Sequence, residues 1–149
     1  MNVELNIDSA AFEQSVMAEF ARVKIPCQAA MANTFAVIVH HNFGQDGEDR
    51  PEQWPILSKK YANQFHGGSR IPTEVLTGSL QSSIEIDETS QDAASVFTNN
   101  EYAVSQQFGD TSINLPARPF FPIINGEVTS YTTAKCLDAC KAEMERSLR

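Results

Sequence analysis

Three prolines fall within seven residues at Pro116-Ala-Arg118-Pro119-Phe120-Phe121-Pro122. Each fixes its own φ, removes a backbone donor and pushes the residue before it towards extended conformations. The segment can be neither a helix nor a central strand. The segment must therefore run extended.

Downstream, Tyr131, Ala134, Leu137, Cys140, Met144 and Leu148 recur at helical spacing and predict a C-terminal helix with this stripe inward. Arg146 and Arg149 suit the negative end of its dipole. Upstream, Ser-Ile84-Glu-Ile86-Asp alternates and Ala94-Ser-Val96-Phe97-Thr is rich in strand formers, which predicts an antiparallel pair joined through Glu88–Asp92. Asn99 or Asn100 can cap a short helix through Tyr102, Val104 and Phe108, and Gly109 stands where a left-handed C-terminal cap belongs.

The first part of the chain reads as a strand at residues 3–7 (Val3, Leu5, Ile7), then a helix over roughly 9–24 capped by Asp8 or Ser9. Phe12, Val16, Phe20 and Val23 form its expected inner stripe. Pro26 is expected to break that helix and start a second, running to about Asn42 with Cys27, Met31, Phe35 and Ile38 inward. The β-branched end, Ala-Val-Ile-Val-His-His, could also be a strand; the helix is preferred because no punctuation comes before Gly44. Residues 44–75 are expected to form a long loop, punctuated by Gly44, Gly47, Pro51, Pro55, Gly67, Gly68 and Pro72. Within it, Trp54, Leu57 and Tyr61 are spaced to anchor one short helical turn. Thr77-Gly78-Ser79 reads as a turn leading Leu76 and Leu80 into the core. The order of elements predicts a single α+β domain over 1–149, with a small, mainly antiparallel sheet and packed helices.

Composition narrows the function classes. Eleven Lys and Arg against nineteen Asp and Glu give a formal charge of −8, which argues against binding through phosphate neutralisation. The longest apolar run, Phe35–Val39, is far too short to span a membrane, and the N-terminus has no basic or apolar signal-peptide region. Cys27, Cys136 and Cys140 are too few and odd in number for a disulfide framework, so a reducing cytosol is the expected place of synthesis.

Chemistry-bearing patterns are sparse. The three cysteines lie on apolar helix stripes, where a thiol behaves as a small hydrophobe. Cys136 and Cys140 could form half a metal site, but adjacent His40 and His41 diverge on a helix and His66 stands alone, so no metal or other cofactor is expected. Gly67-Gly68-Ser69-Arg70 lacks the ending of a phosphate loop. Lys59, Lys60 and Arg70 are a local basic cluster too small for firm DNA binding.

An ordered set carries more: Trp54-Pro-Ile-Leu57-Ser58, Leu76-Thr77-Gly78-Ser79-Leu80, Ser83-Ile84, Thr98-Asn99, Tyr102-Ala103, Gln107-Phe108-Gly109 and Pro116-Ala117-Arg118-Pro119-Phe120. This order and spacing, across residues 35–123, resembles the phage virion morphogenesis family, the tail completion proteins of Mu-like and related contractile-tailed phages and prophages. The insert Gln45–Gln53 and the Gly67-Gly68 tip depart from the family's pattern. The resemblance implies a structural, non-enzymatic protein, made in the host cytoplasm and incorporated in the virion. It would complete the tail or neck as a homo-oligomeric ring, often of six, and prepare head–tail joining. Expected partners are further copies of the chain, tail-tube proteins and neck or head-completion proteins, with DNA passing through the lumen unbound and no membrane involved.

A ring closes through a heterologous interface. Arg118, Pro119, Phe120 and Phe121 are candidates for one side of it, with Trp54 as a further anchor, because Arg and aromatics are enriched at interface centres. The alternative is that the phenylalanines and Trp54 fill the subunit's own core and Arg118 pairs with a carboxylate within the chain. Gly78, Gly109 and Pro116 are candidate turn residues. A ring of about six copies would carry on the order of −50 charges, and an acidic lumen would keep DNA sliding. The competing classes are a small cysteine- or metal-dependent hydrolase and a DNA-binding accessory factor of a prophage.

Overall fold

The computed structural model describes residues 9–44, 47, 49–65, 67–68 and 78–149. The elements expected at residues 3–7 and the turn at Leu76-Thr77 lie outside the described residues.

Helix α1 spans Ser9–Asn42 without interruption, with Pro26 inside it. This corrects the two-helix expectation. Pro26 removes one helical hydrogen bond, but Val23 and Cys27 on either side of it are both buried. The C-terminal helix α5 (Ser130–Ser147) runs antiparallel along this face. Arg22 reaches the Ser147 carbonyl at 3.0 Å, Cys27 Sγ lies 3.6 Å from the Cys140 carbonyl, and Cys136 Sγ lies 3.6 Å from the Met31 carbonyl. Tertiary packing thus splints the helix across its weak point.

The faces of these helices differ from the periodicity reading. On α1, Cys27 and Ile38 are buried as expected, together with Ala32, Ala36 and Val39, but Val16 and Phe20 are exposed. On α5 the expected inner stripe faces out: Leu137 is 50% and Leu148 58% exposed, with Tyr131 and Met144 also exposed. Of that stripe only Cys140 turns inward, and it does so beside Thr132, Cys136 and Ala139, which the periodicity does not mark. Small side chains let two helix axes approach closely, a property that hydrophobic periodicity does not register.

Strands β1 (Ile84–Asp87) and β2 (Ser95–Thr98) pair antiparallel, Ile84 opposite Thr98 and Ile86 opposite Val96. Their half-buried side pairs with α1. Lys24 to Asp92 at 2.7 Å, Gln28 to the Asp92 carbonyl at 2.8 Å and Asn33 to Glu88 at 3.2 Å fasten the β1–β2 connection to the same helix. Helices and small antiparallel sheets therefore form one α+β arrangement, as the order of elements predicts.

Three short helices complete the frame. The long segment expected to hold one short helical turn contains α2 (Lys59–Phe65), which includes Tyr61, while Trp54 and Leu57 are buried on the irregular stretch before it rather than on the turn itself. Helix α3 (Ser79–Ser82) starts from Gly78, whose φ of 63° is the expected turn conformation. Helix α4 (Ala103–Phe108) follows an Asn100 turn: its Oδ1 accepts from the Tyr102 N–H at 2.9 Å. Gly109 has the expected positive φ of 76°, but ψ is 169°, so the chain leaves α4 extended instead of closing a left-handed cap. A second hairpin, β3 (Ile123–Ile124) and β4 (Glu127–Val128), turns through Asn125 and Gly126, both at positive φ. Asn-Gly is a strong hairpin signal, and it was open to a sequence reading.

Candidate interaction site

The strap after α4 is the centre of the structure. It leaves a bridge in which Asp110 and Leu115 exchange both backbone bonds, at 2.9 and 2.8 Å, around the short 3-10 turn Thr111–Ile113. Pro116 is exposed at the entry. Beyond it, each bonded polar group of the backbone has a specific partner. The Arg118 N–H donates to the Gln106 carbonyl at 2.7 Å. The Pro119 carbonyl accepts from Trp54 Nε1 at 3.0 Å. The Phe120 and Phe121 N–H groups both donate to Gln107 Oε1 at 3.0 Å, and Gln107 Nε2 returns to the Phe121 carbonyl at 3.2 Å. The Phe120 carbonyl accepts from Asn42 Nδ2 at 2.9 Å, and the Pro122 carbonyl accepts from the Thr129 N–H at 2.9 Å. Proline has no donor to satisfy, so a proline-rich strap can be buried with few partners.

The residues proposed from sequence as an interface are brought together here, but inside the subunit. Phe120 is 1% and Trp54 3% exposed, Arg118 and Pro119 are buried, and Phe121 is half-buried. Phe120 sits 5.0 Å from the Phe43 ring and 4.9 Å from Phe121, while Phe121 stacks on Phe35 at 6.1 Å. Val39, Phe43, Trp54, Leu80, Ala103 and Phe120 form one buried cluster. In this conformation Trp54, Pro119 and Phe120 are core anchors, the alternative the sequence leaves open beside the interface reading. The physical reason is their hydrogen bonding: a strap whose carbonyls are held by Asn42, Trp54 and Gln107 draws its side chains inward.

A second layer holds the strap from below. Asn42 is fully buried at the end of α1; its Nδ2 also donates to the Asp49 carbonyl at 3.0 Å, and its Oδ1 accepts from the Asp49 N–H at 2.9 Å. The Asp49 carboxylate accepts from the Thr132 hydroxyl at 2.7 Å and from Thr129. Arg50 donates to the carbonyls of Asn42 and Gly44, and its guanidinium lies 4.1 Å from the Trp54 ring centre. Gln107 stands in the ordered motif set, but its role as a hub, and those of Asn42 and Asp49, escape sequence reasoning, because no local pattern distinguishes a buried amide hub from a solvated one.

Electrostatics around the other candidates are mild. Burial pushes the Cys27 thiol up, helped by Cys140 beside it, and burial alone pushes Cys136 up. This is opposite to what activates a nucleophile. Among the described residues no group of three or more His, Cys, Asp or Glu could hold a metal ion, and no helix is long and apolar enough to cross a membrane. Lys59 and Lys60 are exposed at the start of α2; His66 and Arg70 lie outside the described residues.

No family model matches the chain, and neither curated proteins nor solved structures give a significant match.

Proposed function

We propose that this chain is a structural subunit of the phage virion morphogenesis type, which completes the tail or neck and prepares head–tail joining by self-association in a ring at the tube end. One observation supports the reading most. Trp54, Leu80, Ala103, Gln107 and Phe120, drawn from five separate pieces of the ordered motif set, meet in or directly against one buried unit. Residues spread over the chain and interlocked in space are what a structural family signature consists of. The raised Cys27 and Cys136 thiols also weigh against the cysteine-dependent hydrolase as the competing reading.

Cryo-microscopy of tails assembled with and without the protein tests the role. The expected result is a capped tube end in its presence and an open or overgrown end in its absence. Identical tails in both preparations, and mature particles lacking the chain, would overturn it.

A further inference from the structure

The chain exposes more surface than its mass explains. Its accessible area is 10418 Å², against about 7,600 Å² for an ordinary folded monomer of 16.5 kDa. The excess is roughly three times the 800 Å² that one partner gives to a specific interface.

Helix α1 carries a visible share of it. Arg22 bonds the carbonyl of Ser147, the last residue of α5, at 3.0 Å. The two helices run antiparallel, so everything on α1 before Arg22 lies past the end of α5. This arm, residues 9–22, is about 20 Å long, and every side chain described on it is exposed. It does not have the make-up of a solvated helix. Glu13, Val16, Met17 and Phe20 share one face, and Met17 is 62% and Phe20 61% exposed. A helix owes most of its stability to packing an apolar face, and here that face is open to solvent.

The outward side of α5 carries a second open stripe: Leu137, Lys141, Met144 and Leu148, all exposed. Lys141 reaches Asp138 only at 3.8 Å, with both side chains well exposed, a pair worth little. The two stripes match in spacing and in charge. Glu13, Val16 and Phe20 repeat the steps of Lys141, Met144 and Leu148. Laid side by side in the same direction, with Glu13 level with Lys141, Val16 meets Met144 and Phe20 meets Leu148. Parallel helices pair like positions in this way. Reversing one helix would set Glu13 against Met144 and Val16 against Lys141, so charge selects the parallel register. Within one subunit α1 runs antiparallel to α5 and the arm begins where α5 ends. The arm cannot lie on its own subunit's stripe, and a second copy must supply it.

We propose that the arm of one copy packs Val16, Met17 and Phe20 along Met144 and Leu148 on α5 of a second copy, with Glu13 beside Lys141. One patch meets a different patch, so the contact is heterologous, the kind that can close a ring. This rests on the self-assembly proposed above and names its surface.

The test reverses the charges in the full chain. Glu13→Lys and Lys141→Glu alter only exposed side chains and should leave the circular dichroism spectrum unchanged. Each alone is expected to weaken self-association about fivefold by sedimentation, and the double variant E13K/K141E to restore it to within about twofold. In parallel, chain carrying Phe20→p-benzoylphenylalanine is mixed with isotope-labelled unmodified chain and irradiated. Mass spectrometry is expected to find cross-links from position 20 to the Met144–Leu148 region of a labelled copy. Cross-links to the labelled copy's own arm, or to any other surface of it, overturn the proposal. So does a chain that stays monomeric up to millimolar concentration. An oligomer indifferent to both charge reversals refutes this surface while leaving self-assembly intact. Rescue by the double variant, combined with normal tails made without the protein, would uphold the surface and refute the virion role.

Discussion

Gln107 holds the strap at Phe120: its Oε1 accepts the Phe120 N–H at 3.0 Å, directly behind a ring that is 1% exposed. The same oxygen takes the Phe121 N–H at 3.0 Å. Truncation by Gln107→Ala strands both donors away from water. A buried unsatisfied polar group costs about 1–3 kcal/mol, and the two share one acceptor, so a loss of about 2–4 kcal/mol is expected. Urea denaturation checks this. A midpoint change equivalent to less than about 0.5 kcal/mol would mean that the strap is not held from Gln107.

Gly109 and Gly78 both have positive φ, 76° and 63°, yet they predict different outcomes. A Cβ at Gly109 would meet the Ala117 nitrogen at 2.8 Å and the Leu115 carbonyl oxygen at 3.0 Å, both backbone atoms. Its ψ of 169° also lies in a region that is nearly glycine-only. At Gly78 nothing lies within 4 Å. Gly78→Ala should cost about 1 kcal/mol, the penalty of the left-handed conformation. Gly109→Ala should cost about 3 kcal/mol or more, because the strap itself must move. Equal melting temperatures for the two variants would contradict this.

The contrast between residues shows what a linear reading can reach. Ile84 and Ile86 alternate with Glu85 and Asp87, and β1 follows, because a two-residue period has one structural meaning. Cys27 and Ile38 likewise share the buried side of α1. Pro26 misleads because the helix is continued by packing from α5, an element more than a hundred residues away. The stripe Leu137, Met144 and Leu148 misleads for a related reason. The partner face on α1 favours small side chains, so the larger ones point outward and only the facing helix reveals it. At the candidate site, Trp54 and Phe120 are visible as anchors in the sequence, but their direction depends on Asn42 and Gln107, whose side chains carry no local signal.

Stability should fall at both ends of the pH range. The Lys24 ammonium holds Asp92 below the usual Asp range, the Ser112 hydroxyl and N–H do the same for Asp110, and Thr89 does so for Asp87. For a depressed carboxylate the unfolded chain binds more protons in acid. The contribution is complete above the ordinary Asp value of about 3.9 and disappears as pH falls through the folded value. The raised Cys27 and Cys136 thiols work in the other direction. Their contribution is complete below the ordinary thiol value of about 8.5 and is lost as pH rises through the folded value. Carboxyl NMR titration should give Asp92 a low midpoint that Lys24→Met returns to normal. The acid loss should be small, because these carboxylates are fully exposed and screened. Cys27 and Cys136 should alkylate slowly at neutral pH. Rapid labelling of either would contradict the assigned burial effect.

Asp49 joins the end of α1 to the start of α5. Its carboxylate accepts from the Thr132 hydroxyl at 2.7 Å, and Thr132 is fully buried. The carboxylate also places negative charge by the positive end of the α5 dipole. Asp49→Ala removes both effects and leaves a buried hydroxyl without this acceptor, so a loss of about 2–3 kcal/mol is expected. Asp49→Asn keeps an acceptor oxygen and should cost about 1 kcal/mol. Thr132→Val removes the hydroxyl and replaces it with a methyl group of similar size. If the two side chains act through each other, the double variant should be less unstable than the sum of the singles by about 1–2 kcal/mol. Strict additivity in the urea midpoints would separate them, and the α1–α5 junction would then rest on the contacts along the two helices, at Arg22 and Ser147, Cys27 and Cys140, and Met31 and Cys136.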